Sequence, residues 1–346
     1  MTTNYKLLLL ICCFFTLPIL VSLDPITLNS SYNAKYESPE GIQFLSYTEN
    51  WDEFKLEGLY KELIKNKHGE EIQLLQEVRI IGGPSPTDSR ITGNYHPLLN
   101  SITLYNGNSN TDVSSYSDTL AHEYGHHFAY YYFPSHHFSF SKWAELRGLK
   151  ESPVRWDSFW NYSLTAHQWH SQEIFAEDYV LLYGAVNEDL NVRDIYNSNE
   201  AFYLSTQHEN QNIPNVLDND ALHQYLENET GVKIDESRKL KTPSIKDVTN
   251  TDLVYSISEK TNVAYRLNLT FYYNDEEIDY NELKTVTSDY TGNTISFNLD
   301  EILTSTPINT NSVSASIDVI DLNTAFGFSS NEVTINIQNN VLQSIN

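Results

Sequence analysis

The hydrophobic period of this chain changes near residue 240, and the change limits the fold more than any other feature. Beyond it, apolar side chains alternate with polar ones. Val263, Tyr265, Leu267, Leu269 and Phe271 share one face of an extended chain. So do Ile295, Phe297 and Leu299; Val313, Ala315, Ile317 and Val319; and Val333, Ile335 and Ile337. Asn274-Asp275 and Thr291-Gly292-Asn293 supply turn residues between them. Period-two runs broken by such turns predict short antiparallel strands, here an all-β sandwich over 244–346. Glu236 to Pro243 reads as the linker into it, and Ala221 to Leu226 as the last helical element before it. The β stretch contains no His and no Cys, so the chemistry of the chain must lie upstream.

Upstream, the pattern mixes helices with short strands. Phe54, Leu56, Leu59, Tyr60, Leu63 and Ile64 recur at helical spacing after Trp51-Asp52, and His68-Gly69 reads as the end of that helix. Val78 to Ile81 reads as a strand closed by Gly82-Gly83-Pro84. Ser101 to Tyr105 reads as a second strand, with Ile102 and Leu104 on one face. A helix is predicted over 118–132. Ser117-Asp118-Thr119 offers N-cap residue types, Leu120, Tyr124, Phe128 and Tyr131 form its buried side, and Pro134 stops it.

That helix carries His122-Glu123-Tyr124-Gly125-His126. Residues four apart share a helix face, so His122 and His126 can present two imidazoles to one point, with Glu123 close enough to reach a water there. This is the arrangement of a zinc site with Glu as general base. With 11 His and 46 acidic residues in 346, the bland alternative is chance, and context has to decide. A third ligand is required. The extended pattern that adds a Gly and a third His six residues after His126 is excluded, because Ala129 and Tyr132 stand there. A Met-turn is excluded because Met1 is the only Met. His127, His136 and His137 read as surface or loop residues. The better candidate is Glu173, in Ser171-Gln172-Glu173-Ile174-Phe175-Ala176-Glu177. Glu173 and Glu177 are four apart on a second predicted helix. Two like charges on one face among apolar residues disfavour each other unless a cation offsets them. Glu173 is therefore assigned to the metal and Glu177 to the free N–H of a ligand His, most simply His122. The bland reading of the pair is a solvated acidic face.

H-E-Y-G-H followed by E-I-F-A-E resembles the gluzincin metalloproteases. The second motif, and the gap from His126 to Glu173, look most like the catalytic domain of anthrax lethal factor and its secreted relatives, which include the Pro-Pro endopeptidases. The resemblance covers 49–235. It implies an α+β zincin domain, a twisted sheet with the active-site helix beneath it, and one Zn²⁺ on His122, His126 and Glu173. It also implies that the strand before the helix is the sheet edge where substrate pairs, a role that falls on Ser101, Ile102, Thr103, Leu104 and Tyr105. The family places a Tyr shortly before the Glu motif as donor to the reacting carbonyl oxygen. This chain departs from that spacing: Tyr162 lies further upstream, and His167 and His170 intervene, so Tyr162 and His170 both stand as candidates. The β domain is expected to be of immunoglobulin or fibronectin-III type.

The remaining features concern location and partners. Lys6 precedes an apolar run from Leu7 to Val21, too short for a stable membrane span, which reads as a secretory signal peptide over 1–22. Cys12 and Cys13 are the only cysteines, so the mature chain, starting with a segment 23–48, has no disulfide. That suits export from a Gram-positive bacterium. A net charge of −25 argues against nucleic acid and anionic membranes as partners. The expected partner is a protein or peptide substrate, acted on by a monomer. Asn106 to Asp112 and Asp218-Asn219-Asp220 are rich enough in oxygen to admit Ca²⁺, but neither has EF-hand spacing, and turns are the default. The competing reading is a non-catalytic extracellular binding or adhesion protein on a zincin-like scaffold. An intact Glu123 speaks against it, since structural zinc needs no general base.

Overall fold

Residues 31–158, 160–186, 195–288, 292–307 and 309–343 are described by the computed structural model. The expected signal peptide, with Cys12 and Cys13, and the start of segment 23–48 lie outside the described residues. No described helix is long and apolar enough to cross a membrane. The chain divides into two compact units. One comprises residues up to Ala144, Pro153–Ala185 and Glu229–Val232; the other comprises Glu145–Ser152, Val186–Asn228 and Lys233–Asn346.

The first unit is α+β. Strands β1 (Ala34–Glu37), β2 (Gln43–Ser46), β3 (Glu77–Ile80), β4 (Gly93–His96) and β5 (Ser101–Leu104) form one sheet in the order β1-β2-β3-β5-β4. The central pairs β2–β3 and β3–β5 are parallel, while β1 and β4 run antiparallel to their neighbours at the two edges. This corrects the expected substrate edge. Ser101, Ile102, Thr103 and Leu104 are interior, with every residue of β5 at 0% exposure, and Gly93–His96 is the edge on that side. Strand β5 reads as an edge from its position before the helix, but sheet order is set by pairing between distant segments, which local pattern does not carry.

Two helices cover the sheet and touch each other: α1 (Glu53–Leu63) and α2 (Ser117–Tyr132). Helix α1 is capped by Asp52, which accepts from Lys55 N at 3.0 Å. It ends at Leu63, before His68-Gly69. Leu56, Leu59, Tyr60 and Leu63 are buried, but Phe54 is 78% exposed, because it falls in the first turn on the outer side. Helix α2 buries Leu120, Tyr124 and Phe128 as expected. Tyr131 stays partly exposed and donates instead to Glu70 Oε1 at 2.8 Å. The N-cap position is Tyr116, with no side-chain cap bond. A short helix α3 (Lys142–Leu146) follows, then α4 (Ser171–Tyr183), which packs along α2.

The second unit contains α5 (Glu200–Leu204), α6 (Asp220–Thr230), α7 (Asp300–Ser305) and an all-antiparallel β region. One sheet has the order β10 (Thr294–Asn298), β7 (Asp252–Ser256), β6 (Ser244–Val248). The other runs β14 (Val341–Leu342), β13 (Val333–Gln338), β11 (Ser312–Asp321), β8 (Val263–Tyr273), β9 (Glu276–Val286), with β12 (Gly327–Ser329) also on β11. The period-two reading holds here: Val263, Tyr265, Leu267, Leu269 and Phe271 are all at 0% exposure, and Val313, Ala315, Ile317 and Val319 at 1% or less. Asn274 and Asp275, with φ of 53° and 67°, form the two-residue turn joining β8 to β9, the backbone that a primed hairpin turn requires.

The boundary between units does not fall at 236–243. Val186–Asn228 belongs with the β region: Phe202 and Ala201 of α5 pack on Ala264 and Ile320, and Thr206 exchanges backbone bonds with Ala325 and Gly327. The expected linker is itself packed down. Leu240 is buried and its N–H donates to Leu217 O, while Lys260 Nζ reaches the carbonyls of Ser237 and Lys239. In both oxygen-rich stretches the chain's own donors take up oxygens, in a turn at the first and where Asp220 opens α6 at the second. Asn108 takes Thr48 Oγ1 and Asn50 Nδ2, Asn110 takes Trp51 Nε1, Asp218 takes Thr242 N, and Asp220 pairs with Lys239.

Candidate metal centre

The site forms where α2 crosses α4, and a glycine permits the crossing. A Cβ on Gly125 would stand 2.9 Å from Ala176 O and 3.1 Å from Tyr179 Cβ. The residue between the two motif histidines thus lets the helix backbones approach closely. As a result, His122 and His126 on α2 meet Glu173 and Glu177 on α4.

Donor atoms of His122, His126 and Glu173 all lie within 4.8 Å of one another, the one such group among the described residues. Glu173 Oε2 is 3.1 Å from His122 Nε2 and 3.2 Å from His126 Nε2. The two rings are nearly perpendicular, with centroids 5.0 Å apart. Behind them, His122 Nδ1 lies 2.7 Å from Glu177 Oε1. A carboxylate there accepts the Nδ1–H and fixes the ring with Nε2 directed at Glu173. The pairing of Glu177 with His122 is as the sequence predicts.

Charge makes the case for a cation. Glu173 is 4% exposed and its partners are His122, His126, His167 and Gln172. No Lys or Arg is among them. Burial works against its ionised form, but His126, His122 and His167 together hold its carboxyl well below the usual range. Burial likewise opposes a charge on His122, yet the carboxylates of Glu173 and Glu177 raise its pKa well above the usual imidazole value. The surrounding imidazoles are what favours the charge on this carboxylate. Two imidazoles and a carboxylate in this geometry are a donor set for a divalent cation such as zinc, and the residues present fit one.

Glu123 is buried beside this group. Burial raises its pKa, against the pull of His122 and His126. The two buried carboxyls are therefore pushed in opposite directions, Glu173 towards a permanent charge and Glu123 towards one that exchanges a proton more readily.

The donor candidates come out differently. His170 is fully buried and its Nε2 engages the backbone of Ser163, accepting from the N–H at 3.1 Å. It occupies the N-cap position of α4 without a side-chain cap bond and packs under Tyr162, whose ring stacks on it at 4.7 Å. Tyr162 is 43% exposed and meets His167 edge-on at 6.3 Å. The side chain that reaches the cluster is His167, with Nε2 3.2 Å from Glu173 Oε2 and its ring stacked at 6.0 Å on that of His122. His167 stands outside the mutually close group of three and is 30% exposed. It rides on a 3₁₀ turn, Leu164–Trp169, that kinks at Ala166 (φ −119°, ψ 20°). The sequence puts His170 forward rather than His167, because the kink that turns one inward and the other down has no local signature.

His127, His136 and His137 are not surface residues. All three are buried. His127 Nε2 donates to Glu71 O at 2.8 Å and its Nδ1 is 3.0 Å from Tyr95 Oη, and Glu71 also accepts from Tyr124 Oη at 2.7 Å. This network clamps the back of α2. The His136 and His137 rings lie 3.8 Å apart, tilted by 40°, with Tyr130 edge-on to both, and burial pushes the His137 pKa down to about 4.

No protein-family model matches the chain, and no curated protein matches it. The functional reading therefore stands on the site itself.

Proposed function

We propose that this protein is a secreted zinc-dependent endopeptidase of the gluzincin kind, nearest in its motifs to the lethal-factor-like group. The observation that carries the reading is the convergence of His122, His126 and Glu173, with Glu123 buried beside them and Glu177 behind His122. The apolar leader expected over 7–21 supports export.

When bound, zinc supplies Lewis acidity, polarising a peptide carbonyl and lowering the pKa of a water towards about 7. The residues of the chain do the rest. Glu123 accepts a proton from the attacking water on its carboxylate as the new C–O bond forms. It returns that proton to the leaving amine nitrogen as the C–N bond breaks. Its raised pKa suits a group that must both take and give. His167 Nε2–H donates to the carbonyl oxygen as negative charge builds there, the role that the sequence reading offers to Tyr162 or His170. Substrate chain pairs with β4, which has no strand on its outer side among the described residues, as an added antiparallel strand. No Ser, Cys or Thr nucleophile takes part, so no acyl-enzyme accumulates.

The test is metal content and peptide cleavage for residues 23–346, with Glu173→Ala and Glu123→Ala beside them. One zinc per chain, lost in Glu173→Ala but kept in Glu123→Ala, is expected. Cleavage should fall about 10²–10⁴-fold in Glu123→Ala. Metal without any cleavage in the parent, across a broad peptide library, would favour the non-catalytic binding protein.

A further inference from the structure

We infer that Gly93 is a positioning residue for Glu123, leaving a slot in the edge strand that the general base fills. The inference rests on the peptidase reading above. Gly93 opens β4 and pairs with Leu104 of β5. Strand β4 lies against α2, and Thr119 and Glu123, four apart on that helix, face it together. A Cβ built on Gly93 would stand 2.5 Å from Thr119 Cγ2, 2.7 Å from Glu123 Oε1 and 2.8 Å from Glu123 Cγ. Real Cβ atoms do not tolerate such distances.

The backbone does not demand glycine here. Gly93 is not among the positive-φ glycines, Gly41, Gly148 and Gly231. It is an ordinary extended residue, where alanine fits the conformation and is favoured over glycine by about 0.5–1 kcal/mol. A glycine inside a strand often marks a close approach of another group, and the group approaching here is the carboxylate of Glu123. The far end of a flexible side chain yields first, so a methyl group at 93 moves Glu123 rather than unfolding the sheet. The same glycine brings the strand backbone, and a peptide paired with it, against the base that must reach the scissile bond.

Thr119 is the second obstacle, so the informative variant is Gly93→Ala in a Thr119→Ala background, with Thr119→Ala alone as reference. Full-length protein loaded with zinc is used throughout. The reference should cleave like the parent. The double variant should keep one zinc and the same melting temperature. Its kcat should fall about 10²-fold, as expected for a reacting group misplaced by about 1 Å, with KM little changed. A crystal structure of it should show the Glu123 carboxylate displaced. The shorter Glu123→Asp should also cost less in the double variant than in the reference, a coupling that a merely structural defect would not produce. Parental kcat with one zinc bound overturns the inference, as does a rise confined to KM, which would assign Gly93 to substrate contact. Absence of cleavage in the parent itself defeats the peptidase reading instead, and the position of Glu123 in the crystal structure then still decides the steric claim.

Discussion

Two clusters, one in each unit, bury charge in opposite ways. In the β-rich unit, Arg266 pairs with Asp318 at 2.6 Å and lies over the rings of Phe202 and Tyr203, and Lys260 pairs with Asp321. Each of these two cations has its own carboxylate, and each carboxylate has further neutral donors: Asn268 and Ser329 for Asp318, Asn323 N and Thr324 for Asp321. Such pairs are closed, and their net worth is small beside the cost of breaking them. In the α+β unit, Glu173 and Glu123 are buried with imidazoles for company, and Glu177 stands just behind. That cluster balances only by taking up protons or a metal. A closed pair fixes a fold, whereas an open cluster holds capacity for a ligand, and the contrast points to the α+β unit as the seat of chemistry.

Breaking a closed pair should have the largest effect on stability. Arg266→Ala leaves Asp318 buried beside neutral donors alone. The expected loss is about 3–5 kcal/mol, towards the lower figure because Asn268 and Ser329 still donate, and denaturant unfolding measures it. The folded fraction should still bind one zinc. A loss below 1 kcal/mol would mean that water replaces the guanidinium, and the contrast between the units would weaken.

His167→Ala should do the reverse, sparing stability and striking rate. Removal of one donor to a developing oxyanion costs about 10²–10³-fold in kcat, while the three ligand side chains remain. Stopped-time peptide cleavage with zinc analysis on the same samples checks it. If zinc is lost in proportion to activity, His167 is a fourth ligand and the site is closed after all.

The cluster of His122, His126 and Glu173 was legible in the sequence because its pattern is local. Two pairs at i, i+4, His122/His126 and Glu173/Glu177, each define a helix face, and nothing distant is needed to read them. The β region was legible for the same reason, since period two reports burial directly. What the sequence hides depends on pairing between distant segments. Gly93-Asn94-Tyr95-His96 has no apolar alternation, so the true edge strand passes unnoticed. The packed state of 236–243 depends on Leu217 and Lys260, far away in the chain. The burial of His127 depends on Tyr95 and Glu71. A helical wheel places it off the metal face correctly, but cannot say that another element covers it.

The smallest expected effect is at Glu177, and it tests whether the open cluster extends past its ligands. Glu177 is about a fifth exposed, with 18% of its side chain accessible, and an acidic helix face would look much the same from sequence. Its carboxylate holds His122 Nδ1 at 2.7 Å. If that bond fixes the tautomer and the ring, Glu177→Ala should weaken zinc binding about 10–100-fold, because the imidazole must then be oriented at the moment of binding. Competition with a chromogenic chelator reads the affinity. Glu177→Gln should recover part of it, since its amide oxygen still accepts the Nδ1 proton without the charge. At saturating zinc the cleavage rate should return close to the parental one, because Glu123 and His167 are untouched, and unfolding should shift far less than in Arg266→Ala. Unchanged affinity in Glu177→Ala would reduce the residue to a solvated charge and confine the cluster to its three ligands and the base.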